Sequence, residues 1–267
     1  MDKPTVASVT ADLIAEQSSL DAVVAPLTEN LWNMATPSPR WAVRDQIGHL
    51  AFFDETAALA ITDPAGFIAH RKALVGPAFS SPEAADEATL GPARAMEPSA
   101  LLAHWRFHRS SLADAATTCA PDARIEWYGP SMGVRSFLTA RLMEAWAHGQ
   151  DICDTIGVER EPTDRLRHIA QLGVITRGWT YLNRGLDIPA GDVRVDLTAP
   201  SGVTWSWGPD KAEASVAGSA LDFCLVTAQR RNIADVDLEV DGDIAVDWLA
   251  RAQLFAGPAS DPPAPRS

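Results

Sequence analysis

Apolar residues recur three and four positions apart over most of the first two thirds of the chain, a spacing that predicts helices. Val9, Leu13, Leu20, Val24 and Leu27 mark a first helix from about residue 8 to 31, and Pro37 and Pro39 break the pattern after it. Ile47, Leu50, Phe53, Ala57 and Ile61 form the stripe of a second helix from Val43 to Ile61, which stops before Thr62-Asp63-Pro64. Gly66 to Met96 is rich in Ala, Pro, Ser and Glu with weak periodicity; it reads as a loop with room for one short helix and for the role of a lid. A third long helix opens at Pro98 and carries Leu101, Leu102, Trp105, Leu112 and Ala116 as far as Pro121. After the turn Gly129-Pro-Ser-Met-Gly133, a fourth covers Arg135 to Ile156, with Gly157 as a left-handed cap. Pro162-Thr163 starts another through Leu166, Ile169, Gly173, Val174 and Leu182.

The period changes after Pro189. Val193, Val195 and Leu197 alternate with polar residues, Pro200-Ser-Gly202 turns the chain, and Val203, Trp205 and Trp207 alternate again, which predicts a hairpin. Ser219 with Asp222 three positions on resembles a capping box and opens a helix from Ala220 to about Arg231. Leu238 and Val240 suggest one more strand, and Ala245 to Phe255 a last helix. The fold class expected is therefore α+β: a helical bundle over residues 1–187, an α+β unit over 188–256, and a disordered tail over 257–267, where four prolines fall in eleven residues.

A chain of 267 residues can bury the cores of two modest domains. A formal charge of -13 and a pI of about 4.8 argue against binding nucleic acid or an anionic membrane through a general basic field, so any anionic ligand needs local positive groups. No signal-like start and no apolar run of membrane-spanning length is found, which places the expected protein in the cytoplasm. Cys119, Cys153 and Cys224 are too few and too scattered for a disulfide framework and read as thiols of a reducing compartment. Gly-rich phosphate loops, Gly-x-Ser-x-Gly elbows and CxxC pairs are absent.

The chemistry rests on histidines. Glu144 and His148 lie four residues apart on the fourth helix, about 40° around its axis, so both can reach one ion. The same spacing also suits an ion pair on a solvated face. Asp151, three residues further on, returns to the stripe and could accept the other imidazole N–H. His49, beside the second helix's apolar stripe, offers a third ligand, and two histidines with one carboxylate leave a zinc ion an open position. His104 and His108 form a rival pair at the same spacing on the third helix, without an acidic residue at helical spacing to complete it. His70 and His168 sit among basic residues and make poor ligands.

The segment Trp41 to Leu50, then Glu144-Ala-Trp-Ala-His148-Gly-Gln-Asp151, resembles the two metal-binding segments of the mycothiol-dependent maleylpyruvate isomerase family, within the DinB-like superfamily. Leu197-Thr-Ala-Pro-Ser-Gly202, Trp205-Ser-Trp-Gly208 and Asp222 to Arg231 resemble that family's C-terminal domain, so the likeness covers nearly the whole chain and points to an actinobacterial, metal-binding branch. The resemblance implies a four-helix bundle followed by a small α+β domain, with His49, Glu144 and His148 as zinc ligands and Arg230, or its neighbour Arg231, as a basic residue facing the metal. It also implies mycothiol as a cosubstrate, used to isomerise or S-conjugate a small, electrophilic, acidic substrate. A zinc-dependent hydrolase and a non-catalytic metal-binding module are the alternatives that the same ligands allow. Ala42 stands where Ser or Thr commonly caps the second helix, which weakens its start without touching the ligands.

Overall fold

The computed structural model describes residues 4–74 and 81–266, and the chain divides into two compact units, Met1–Arg160 and Glu161–Ser267. The first unit contains α1 (Val6–Val24), a single turn α2 (Glu29–Trp32), α3 (Val43–Thr62), α4 (Pro64–Leu74), α5 (Pro82–Arg94) and α6 (Pro98–Thr117). Two-residue strands β1 (Arg124–Ile125) and β2 (Met132–Gly133) follow, and then α7 (Val134–Ile156). Four long helices close a ring in which α1 touches α6 and α7, and α3 touches the same two from the other side. This is the expected four-helix bundle. The predicted stripes face its core, where Leu20, Val24, Ile47, Leu50, Leu101, Trp105 and Ile152 are buried together. Burying each such side chain is worth about 1.5–3 kcal/mol, which fixes the helix faces. Asp21 is clamped by Arg106 and Arg109, tying α1 to α6.

The segment read as a loop is mostly helical. Ser81 caps α5 by accepting from the Ala84 N–H at 3.2 Å, with Pro82 in the first turn. Its buried side holds only Asp86, Leu90 and Ala93, too sparse an apolar stripe to register as periodic. The middle of the expected lid, residues 75–80, lies outside the described residues. The minimal β1–β2 ladder, pairing Arg124 with Gly133 and Ile125 with Met132, is also new; four residues cannot show an alternation.

The second unit begins with α8 (Leu166–Ile175) and α9 (Arg177–Leu182), continues with β3 (Val193–Thr198), β4 (Thr204–Trp207), β5 (Ala214–Ser219), α10 (Ala220–Thr227) and β6 (Leu238–Asp241), and ends with α11 (Asp243–Leu249). The sheet order is β4-β3-β5-β6, and only β3 and β5 run parallel. The predicted hairpin is present, with Leu197 opposite Trp205 and Val195 opposite Trp207. Ser219 accepts from the Asp222 N–H at 3.0 Å, as the capping pattern implied.

The division falls at residue 160, earlier than the expected 187. Period alone cannot show which partner a helix packs against: α8 lies on α10, and a Cβ on Gly173 would stand 2.8 Å from the Phe223 ring, so the two helices meet too closely for any side chain there. Strand β5 was not expected, because Ala-Ser-Val-Ala-Gly-Ser carries one large apolar residue. The expected helix from residue 162 breaks at Thr176, and α10 and α11 stop short of Arg231 and Phe255. Residues 257–266 are irregular but held: Ser260 bonds Gln229 and Gln253, Asn183 bonds the Gly257 carbonyl, and the Arg266 N–H bonds Asp235. The expected disordered tail therefore packs on its own unit through polar contacts that composition does not reveal. Cys119, Cys153 and Cys224 are free thiols, and no helix among the described residues is long and apolar enough to cross a membrane.

Candidate metal centre

The α3–α7 contact brings His49 to the Glu144–His148 pair. Oε2 of Glu144 lies 3.3 Å from His49 Nε2 and 3.0 Å from His148 Nε2, and the two imidazole centroids are 4.3 Å apart. Three donor atoms thus converge within 4.8 Å of one another.

The protonation pattern around His148 follows from a relay of hydrogen bonds. A backbone carbonyl only accepts, so Thr36 Oγ1 donates to the Trp41 carbonyl at 2.9 Å. Thr36 must then accept from Gln46 Nε2, at 2.8 Å, which turns Gln46 Oε1 toward His148. Oε1 accepts from His148 Nδ1 at 2.5 Å, which places a proton on Nδ1 and turns Nε2 toward the carboxylate. Nε2 stands 3.0 Å from a Glu144 oxygen, so a proton bridges the two in the absence of metal and an ion can take its place, with Nδ1–H held by the Gln46 oxygen. Gln46, fully buried, therefore occupies the outer position expected for Asp151, whose carboxylate instead accepts from Ser38 at 3.1 Å. A glutamine on the stripe side of α3 gave no sequence signal of this role.

Electrostatics point the same way. Burial, with His148 alongside, lowers His49 to about 4, keeping it neutral and able to donate a lone pair. Burial pushes Glu144 up, but hydrogen bonds from His148 and His49 and the charge of Arg141 outweigh it and hold the carboxyl well below its ordinary range.

The start of α3 is held despite Ala42. The Ala42 N–H donates to Asp45 at 2.8 Å, half of a capping box, and Arg94 of α5 grips the other Asp45 oxygen at 2.8 Å. Asp86 of α5 accepts from Trp41 Nε1 at 3.1 Å and from Arg40, itself in a left-handed conformation at φ 68°. The anchored Trp41 ring stacks over His148 at 5.8 Å and lies 5.1 Å from His49. Phe53 walls the other side of His49 at 4.5 Å.

Arg141, one turn before Glu144, is another residue that the sequence reading passed over. It is buried, its Nη2 lies 3.5 Å from Glu144 Oε1, and its guanidinium sits over Phe53 and Trp127 at 5.5 and 5.4 Å. Nη1 has no hydrogen-bond partner among the described residues. A buried, unpaired donor on a cation is costly, and an anion beside it would relieve that cost. His70 meets the Tyr128 hydroxyl at 3.0 Å and takes no part in the cluster. Arg230 belongs to the second unit, just past α10, where its Nη1 donates to the Ala228 carbonyl at 2.7 Å; Arg231 Nη1 donates to the Arg230 carbonyl at 2.6 Å.

The family profile of the mycothiol maleylpyruvate isomerase N-terminal domain matches residues 13–153. Two proteins of Mycobacterium tuberculosis, from strains CDC 1551 / Oshkosh and H37Rv and both described as uncharacterized, are each 44% identical over 249 residues, spanning 93% of this chain and 95% of theirs. Among solved structures, the mycothiol-dependent maleylpyruvate isomerase matches with TM-score 0.57, over 86% of this chain and 90% of that one. A mutant of it matches at 0.58, over 90% and 93%. Both are 18% identical to this chain, a likeness of fold.

Proposed function

This chain belongs to the mycothiol maleylpyruvate isomerase family, and from that premise we propose that it is a metal-dependent enzyme of thiol chemistry. Its metal is zinc, held by His49, Glu144 and His148, and it uses mycothiol to isomerise or S-conjugate a small, electrophilic, acidic substrate. The observation that carries this reading is the convergence of one donor atom each from His49, Glu144 and His148 within 4.8 Å, with His148 Nδ1 held by Gln46 so that Nε2 faces the carboxylate. Two imidazoles and one carboxylate suit zinc and leave a position open.

Bound there, the ion would supply Lewis acidity that favours a thiolate over a thiol. The residues of the chain do the rest. Gln46 holds the His148 proton away from the ligand face. Trp41 and Phe53 pack their rings against the histidines, and this apolar lining strengthens the charge interactions beside it. Arg141 Nη1 offers a donor to a substrate carboxylate or to the enolate that develops when a thiol adds to a conjugated double bond. Arg230 is assigned a second, substrate-directed positive charge. Both matter in a chain of net charge -13, whose overall field repels an anion.

The test is cobalt-substituted protein titrated with mycothiol, followed by turnover of maleylpyruvate as the first substrate. Sulfur-to-metal charge transfer on adding the thiol is the expected result. Unmoved ligand-field bands, with turnover of esters or amides in the absence of thiol, would make the protein a hydrolase. Unmoved bands without turnover would make it a metal-binding module.

A further inference from the structure

The rival histidine pair of the sequence is not left incomplete by the fold. His104 and His108 lie one turn apart on α6 with ring centroids 4.3 Å apart, and α3 brings Glu55 to them across the α3–α6 seam. One donor atom from each of the three residues lies within 4.8 Å of the others. We infer that Glu55, His104 and His108 form a second binding site for a divalent transition ion, separate from the one at His49, Glu144 and His148.

The separation follows from helix geometry. Glu55 is six residues beyond His49 on α3, which places it about 120° around the axis and about 9 Å along it. The two sites therefore occupy different faces of one helix. Glu55 and His108 are not already satisfied by each other, since Oε2 and Nε2 stand 3.8 Å apart, beyond hydrogen-bond length. His108 is buried, with the neighbouring Phe107 ring edge-on at 5.2 Å. Glu55, half exposed, has the freedom to close the remaining gap: bonds of 2.0–2.1 Å in a tetrahedron need donors only about 3.3 Å apart. Histidines at i and i+4 with a carboxylate suit zinc and the ions that neighbour it in the series, and water fills the remaining positions at this surface. An ion here would clip α3 to α6 from outside the bundle.

Chelator-stripped full-length protein dialysed against excess zinc, washed and analysed for elemental content should hold two equivalents. The double variant Glu55→Gln, His104→Gln, which leaves buried His108 in place, should hold one, and so should His148→Ala. Circular dichroism on each variant confirms the fold. As a second readout, zinc added to the His148→Ala protein should shift the ring proton resonances of His104 and His108. A wild type that stops at one equivalent, lost with His148→Ala, overturns the second site and leaves the first intact. Two equivalents in the Glu55→Gln, His104→Gln protein overturn it as well. Two equivalents retained in His148→Ala but one lost in the double variant support it, and remove the site at His148 instead.

Discussion

Replacing Gln46 with Met should separate the metal's needs from those of the fold. Methionine keeps the length and burial of the side chain but removes both ends of the relay, the acceptor for His148 Nδ1–H and the donor to Thr36. In the metal-free protein the loss is largely repaired. The His148 proton can move to Nε2, where the Glu144 oxygen 3.0 Å away accepts it, while Thr36 keeps its bond to the Trp41 carbonyl. Folding stability should therefore fall toward the low end of the about 1–3 kcal/mol that a buried unmade hydrogen bond costs. Metal binding has no such escape, because it requires the lone pair on Nε2 and so forces the proton back to an Nδ1 with no partner. Outer-sphere partners of this kind are worth about 10–100-fold in affinity, or about 1.4–2.7 kcal/mol. Competition with a calibrated zinc chelator measures the affinity, urea melts of the stripped protein measure the stability, and nitrogen chemical shifts of His148 report the tautomer. Gln46→Glu, which restores an acceptor, should recover the affinity. A Gln46→Met protein binding zinc within threefold of wild type, or still showing the Nδ1–H tautomer without metal, would refute the reasoning.

In metal-free protein, His49 falls from 6.5 to about 4 on folding, so between those values the unfolded chain binds the extra proton and stability rises with pH. Asp54, pushed up by burial from 3.8 to about 7 against the charge of Arg141 and the Trp105 hydrogen bond, keeps a proton that the unfolded chain releases, so its contribution falls over nearly the same range. At about 1.4 kcal/mol per pKa unit the two slopes oppose; urea melts from pH 4.5 to 6.5 should rise with pH more steeply for Asp54→Asn than for wild type, a falling curve in the variant would contradict the His49 assignment, and equal slopes in the two proteins would contradict that of Asp54. Arg141→Met should leave zinc content intact and lower kcat/KM on an acidic substrate by about 10–100-fold, the worth of a charge-assisted hydrogen bond, with little loss on a neutral analogue. Arg230→Ala should likewise keep the metal and cut turnover, and unchanged kinetics would remove it from the site. Gly48 lets α5 approach α3, since a Cβ there would lie 2.8 Å from the Cβ of Ala93; Gly48→Val should cost about 1–3 kcal/mol in thermal or urea unfolding, part of it recovered by Ala93→Gly.

Local periodicity determined a good deal of this protein. The stripes of α1, α3, α6 and α7, the Gly157 cap, the hairpin around residues 200–202 and the Ser219 cap all depend on neighbours within a few positions, and each is legible along the chain. So was the pairing of Glu144 with His148, because a helix places i and i+4 side by side whatever surrounds it. His49 was legible as an apolar-edge histidine that could supply the third ligand, a role the family resemblance also implied but no spacing within one helix could fix. What tertiary structure decided lies in contacts between distant segments. Gln46 reaches His148 from 102 positions away, Asp86 holds Trp41 from 45, and Arg141 finds its aromatic bed through folding. The same is true of Glu55, which no helical spacing relates to His104 and His108, and of α8, whose period says that it packs but not on what. Short strands such as β5, and a tail held by polar bonds, complete themselves against partners already in place, so their own residues carry too little pattern to announce them.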